Sequence, residues 1–77
     1  MPKFEMGQKA VLLVDGYSVP FVGELHAGDT VLVGQTLPSG RVGCSVYWRT
    51  WLVETFVSPK DIMLEPEYRA KEVLGTL

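Results

Sequence analysis

The chain has 77 residues, 47% of them hydrophobic and 21% charged, which suits one small folded domain and excludes both a second core and a disordered polymer. Seven basic against nine acidic residues leave a net charge of −2 and a pI of about 5.2, a poor match for a duplex-DNA binder. Eight glycines and five prolines favour short strands joined by tight turns, yet the mean hydropathy is +0.16, high for a domain that keeps much of its chain at the surface.

In chain order, residues 7–14 read as a first strand, with Ala10-Val11-Leu12-Leu13-Val14 apolar enough to be covered on both faces. Asp15-Gly16 signals a turn, and Pro20 closes the loop that carries Tyr17. Residues 21–26 alternate as a second strand, with Phe21, Gly23 and Leu25 on one face. After Gly28-Asp29 a third strand covers residues 30–36, and Pro38-Ser39-Gly40 suits a hairpin loop.

Residues 42–48 and 51–57 pair as a hairpin if Arg49-Thr50 makes the turn, giving facing pairs from Trp48 with Trp51 to Gly43 with Phe56. Phe56 is then expected to cover the bare Gly43. Arg-Thr is poor chemistry for a two-residue turn, so a longer loop from Trp48 to Trp51 stays open, and with it which hairpin face is core. Ser58-Pro59-Lys60-Asp61 reads as a 3₁₀ turn before a last short strand, Ile62-Met63-Leu64. Pro66 suits the first turn of a helix over residues 67–74, with Glu67 and Lys71 at i,i+4 and Gly75 as its stop. The domain boundaries expected are 1–65 for the β body and 66–77 for a C-terminal helix or tail.

Five or six short strands with a 3₁₀ turn before the last one resemble the SH3-like barrel, and the resemblance covers roughly residues 4–65. It rests on Gly7, on Val22-Gly23-Glu24-Leu25, on Gly28-Asp29-Thr30-Val31-Leu32-Val33, and on Phe56-Val57-Ser58-Pro59-Lys60-Asp61-Ile62-Met63-Leu64. It implies a fold shared by many functions. Peptide-binding SH3 domains carry a longer acidic, aromatic first loop than Asp15-Gly16-Tyr17-Ser18. Plasmid-type dihydrofolate reductases are similar in length, and that resemblance implies a tetramer around a central site. Where that family has Val-Gln-Ile-Tyr, this chain has Asp61-Ile62-Met63-Leu64, without the glutamine or the tyrosine.

No nucleophile–base–acid arrangement stands out, so the chain is read as leaning away from an enzyme. Cys44 lacks the cationic neighbour that activates a thiol and reads as a structural residue. His26 reads as an exposed turn residue, and Asp15, Glu24, Asp29 and Glu54 as solvating charges. One cysteine and one histidine do not complete a zinc site, and no cofactor is called for. Met1-Pro2-Lys3-Phe4-Glu5 has no signal-peptide pattern and no apolar run reaches membrane-spanning length, so a cytoplasmic, membrane-free protein is expected.

The aromatics carry the functional signal. Tyr17, Tyr47, Trp48, Trp51 and Phe56, with Leu52, form the candidate binding set, because both faces of the hairpin bear large apolar groups while a barrel wall buries only one. Tyr47, Leu52 and Phe56, together with Val31 and Val33, are expected to need cover, either from residues 67–74 or from a partner. The expected function is therefore a non-enzymatic SH3-like interaction module that self-associates and binds a protein partner. Alternatives are a small-molecule ligand binder or enzyme with its site at an oligomer axis, and an aromatic cage for methylated lysine with Glu54 as its acid. Weak single-stranded nucleic-acid binding is a further alternative, with Arg41, Arg49 and Lys60 around the aromatics.

Overall fold

A computed structural model describes residues 4–75, and of Trp48 the backbone only. The residues before and after, at 1–3 and 76–77, lie outside the described part. Among the described residues seven strands form two antiparallel sheets. They are β1 (Lys9–Leu12), β2 (Tyr17–Val19), β3 (Gly23–Leu25), β4 (Thr30–Thr36), β5 (Val42–Trp48), β6 (Trp51–Val57) and β7 (Ile62–Leu64). A 3₁₀ turn at Pro59–Asp61 precedes β7, and helix α1 (Glu65–Leu74) follows it. The main sheet runs β6-β5-β4-β1-β7, while β2 and β3 make a separate two-stranded ribbon.

Side-chain alternation decides which residues meet in the core. Ala10 and Leu12 face it from β1, Val31 and Val33 from β4, Val42, Cys44 and Val57 from the long hairpin, and Ile62 from β7. Val19 and Leu25 close the core from the ribbon, and Phe4 closes it from the N-terminal side. Val31 and Val33, expected to need cover, are core residues. The parity of β4 puts Leu32 on the outer face instead, because Leu32 pairs with Lys9 and with Ser45.

The β5–β6 register is the one the sequence implies, Trp48 opposite Trp51 through Val42 opposite Val57. Arg49 takes φ +57 at the first turn position, so the two-residue turn forms with a non-glycine residue in the left-handed region. The residues before it are less regular than expected. The strand read over 21–26 is interrupted, since 20–22 form a turn with Phe21 at φ +67, and Tyr17–Val19 pair with Gly23–Leu25 across it. Tyr17 therefore sits on a strand, and the first strand is shorter than residues 7–14.

Helix α1 starts two residues before the expected 67 and ends where expected. Gly75 at φ +72 turns its N–H back to the carbonyl of Glu72. Glu65 and Glu67 in its first turn and Lys71 in its last suit the helix dipole. The helix packs on β1 and β7. Val11, which points away from the core shared by Ala10 and Leu12, is fully buried beneath it. Its cover does not reach β5 and β6.

Candidate functional site

The outer face of β4, β5 and β6 is the part of the sheet with apolar groups left in water. Tyr47 and Leu52 oppose each other across the hairpin and are 70% and 51% exposed. A cross-strand aromatic–aliphatic pair of this kind stabilises a hairpin by up to about 1 kcal/mol, but most of its surface stays wet. Trp51 is 68% exposed at the hairpin end, and Phe21, which the sequence reading did not select, is 79% exposed. The left-handed turn after Pro20 throws the Phe21 ring outward; the signal available was Pro20-Phe21-Val22-Gly23 read as a turn rather than as a strand.

These side chains divide between two clefts. One, of about 470 Å³, lies along the β6 edge between Phe21 and the run Trp51-Leu52-Val53-Glu54. The other, of about 600 Å³, crosses the outer face, with Lys9, Thr30 and Leu32 on one side and Ser45 and Tyr47 on the other.

Of the candidate set, Tyr47, Leu52 and Trp51 lie at the turn end of the hairpin, Tyr47 and Leu52 on its outer face and Trp51, by strand alternation, on the opposite one. The backbone of Trp48 joins them, but its side chain lies outside the described residues. Phe56 is half-buried at the other end of β6, where its carbonyl accepts from Arg41 Nη1 at 3.4 Å. Tyr17 is elsewhere. Its ring packs against the core, its hydroxyl donates to Asp61 Oδ2 at 2.6 Å, and the same oxygen accepts the Ser58 N–H at 3.0 Å. The bond to Asp61 favours the neutral phenol and, with burial, outweighs the Ser58 N–H, so the Tyr17 pKa is raised.

Glu54 has a different neighbour from the one expected. Its carboxylate, not the ring of Phe56, lies over Gly43: a Cβ at that position would stand 2.7 Å from Oε2, and one at Gly34 would stand 3.0 Å away. The two glycines form a floor that lets the Glu54 chain lie flat across β5. Neither the Glu54 carboxylate nor the Lys9 ammonium has an ion-pair partner among the described residues.

Asp15 and Asp29 are more than solvating charges. Asp15 accepts from the Ala27 N–H at 2.7 Å and Asp29 from the His26 N–H at 2.8 Å, which pins the turn before β4. His26 Nδ1 lies 3.9 Å from Asp15. Among the described residues no three His, Cys, Asp or Glu side chains cluster as metal ligands.

Cys44 is buried, and burial first, with the Glu54 charge second, pushes its thiol up to about 11. It should resist alkylation in the folded protein at pH 8 and react once denaturant is added. The sign of the pH effect follows from linkage. A raised folded pKa means the unfolded chain loses its thiol proton first, so the stabilisation is complete below about 9 and fades as pH rises toward 11. Tyr17 shifts in the same direction. The melting temperature should therefore fall across this alkaline window, and less steeply in Cys44→Val.

No family model, curated protein or solved structure matches the chain. No helix of the described residues is long and apolar enough to cross a membrane.

Proposed function

We propose that the chain is a non-enzymatic SH3-like interaction module, cytoplasmic, that self-associates and meets protein partners through the outer face of β5 and β6. Support for the SH3-like reading is the strand order β6-β5-β4-β1-β7, with a ribbon between β1 and β4 and a 3₁₀ turn leading into β7. The observation that carries the functional part is the exposed Tyr47–Leu52 pair. It stands on a hairpin of two seven-residue strands that helix α1 does not cover. Aromatic anchors held on strands lose little conformational entropy on binding, which suits them to interfaces.

Light scattering over a concentration series tests the reading. The expected result is an apparent mass rising above the 8.5 kDa of one chain, and a return to 8.5 kDa in Tyr47→Ser/Leu52→Ser. A clean monomer at every concentration overturns self-association.

A further inference from the structure

The uncovered part of the outer face has a definite width. Helix α1 lies over β1 and β7, above Val11, and the cleft of about 600 Å³ runs beside it, from Lys9 on β1 to Tyr47 on β5. These walls are two strand spacings apart, about 10 Å, the width of an α-helix. A helix seated there, over β4 and β5, would stand about 10 Å from α1, the distance at which helices pack side by side. The chain itself carries a helix suited to that seat. Tyr68 and Lys71 are half-buried on the sheet side of α1, whereas Pro66, Ala70, Val73 and Leu74 are exposed. Those four recur at the i, i+4, i+7 and i+8 spacing of a second apolar stripe, and Val73 is 86% exposed.

We propose that the protein forms a two-fold dimer in which α1 of each chain seats its Pro66–Ala70–Val73 stripe in the β4–β5 cleft of the other. The two helices then lie side by side in one layer between the two sheets. This rests on the self-association reading above and adds to it the occupant of the open face. A two-fold axis along the strands, between the helices, lays the covered half of each sheet against the uncovered half of the other. The sheets stay a helix layer apart, so no strand of one chain enters the space of the other's helix. Helix α1 begins beside Lys9 and passes over Val11, which pairs with Thr30. Rotation about this axis keeps the level along the strands. Val73, about 10 Å on from Pro66, therefore arrives near Thr30 and Tyr47 of the other chain.

The area supports a second copy as the occupant. A ten-residue helix is about 15 Å long and 12 Å across, so half its side wall is roughly 280 Å². Two helices and the two clefts that receive them bury roughly 1,100 Å², before the contact between the helices is counted. That passes the roughly 1,000 Å² at which specific interfaces begin and stays below the range of permanent dimers. Each chain has one such cleft and one such stripe, and a single two-fold contact uses both.

Val73→Lys separates this arrangement from self-association in general. A lysine in the last turn suits the helix dipole, so the fold should hold, with a thermal melt as the check. Sedimentation over a concentration series should show the dissociation constant raised at least tenfold, because the lost apolar contact enters twice. Thr30→Arg, which plugs the cleft from β4, should do the same. A dimer unchanged by Val73→Lys overturns the seated helix and leaves self-association standing, whereas a wild-type monomer at every concentration overturns both. If Val73→Lys disturbs the melt, Ala70→Lys replaces it with the same expectation. Mixing Val73→Lys with Tyr47→Ser tests whether the two surfaces meet. In the heterodimer both lesions fall in one seat and the other seat is intact. Its dissociation constant should then lie several-fold below the geometric mean of the two homodimers, because changes that share a contact do not add. A value at that mean overturns the arrangement.

Discussion

Leu12→Ala is expected to lower the unfolding free energy by about 3–4 kcal/mol, read as a fall in the urea midpoint with an unchanged slope. Leu12 is 0% exposed at the end of β1, opposite Ile62 of β7, and belongs to the core cluster. A chain of 77 residues has about 4–12 kcal/mol in total, so this one truncation removes roughly a quarter or more of it. Leu52→Ala is the matched control. The same side chain on the outer face loses only partial contact with Tyr47, and its effect on stability should stay within about 0.5 kcal/mol. Association should respond in the opposite order, with Leu52→Ala weakening it and Leu12→Ala leaving it unchanged in whatever fraction stays folded. Equal stability losses at the two positions would mean that the outer face is packed within the chain.

Tyr17→Phe should cost about 1–2 kcal/mol, measured in the same unfolding experiment. The hydroxyl it removes makes two bonds at once, to Asp61 Oδ2 and from the Ser58 N–H, and both partners belong to the segment that carries the 3₁₀ turn. Forty-four residues separate Tyr17 from Asp61, so the pair ties the β2–β3 ribbon to the closing strand. Asp61→Asn keeps an acceptor for the phenol and should lose less. The amide of Ser58 should exchange faster in Tyr17→Phe, because its partner is gone. Association through Tyr47 should not change, since Tyr17 lies on the core side and its hydroxyl is already engaged. A loss of dimer in Tyr17→Phe would show that the ribbon takes part in the contact.

Much of this architecture is legible from residue alternation. The bounds of β4 and β7, the hairpin pairs from Val42–Val57 to Trp48–Trp51, and the glycine that ends α1 all follow from period-two patterning and from known turn and cap chemistry. The errors have local physical causes. Phe21 and Val22 look like strand residues by composition, but the chain turns there, and a turn at φ +67 leaves no trace in hydrophobicity. Val31 and Val33 look exposed from sequence because the β4 apolar run Val31-Leu32-Val33 has no alternation of its own. Only pairing with Ala10 and Cys44 decides its parity. The relation of Glu54 to Gly43 is diagonal rather than directly opposite, so a rule based on facing pairs selects Phe56.

The candidate site was half visible. Tyr47, Trp51 and Leu52 follow from clustering of aromatics on a hairpin with both faces apolar. Residue type alone groups Tyr17 with the other aromatics, whereas its hydroxyl is tied to Asp61, far along the chain.

Helix α1 over Val11 also sets the valence of the molecule. By occupying the outer side of β1 and β7, it leaves each chain a single open face, bounded on one flank by the helix itself. Under a two-fold contact, that face on each chain is consumed by the other, and nothing equivalent remains for a third. Growth then terminates at a pair, whereas an uncovered sheet of five strands would offer room for a staggered, open-ended stack.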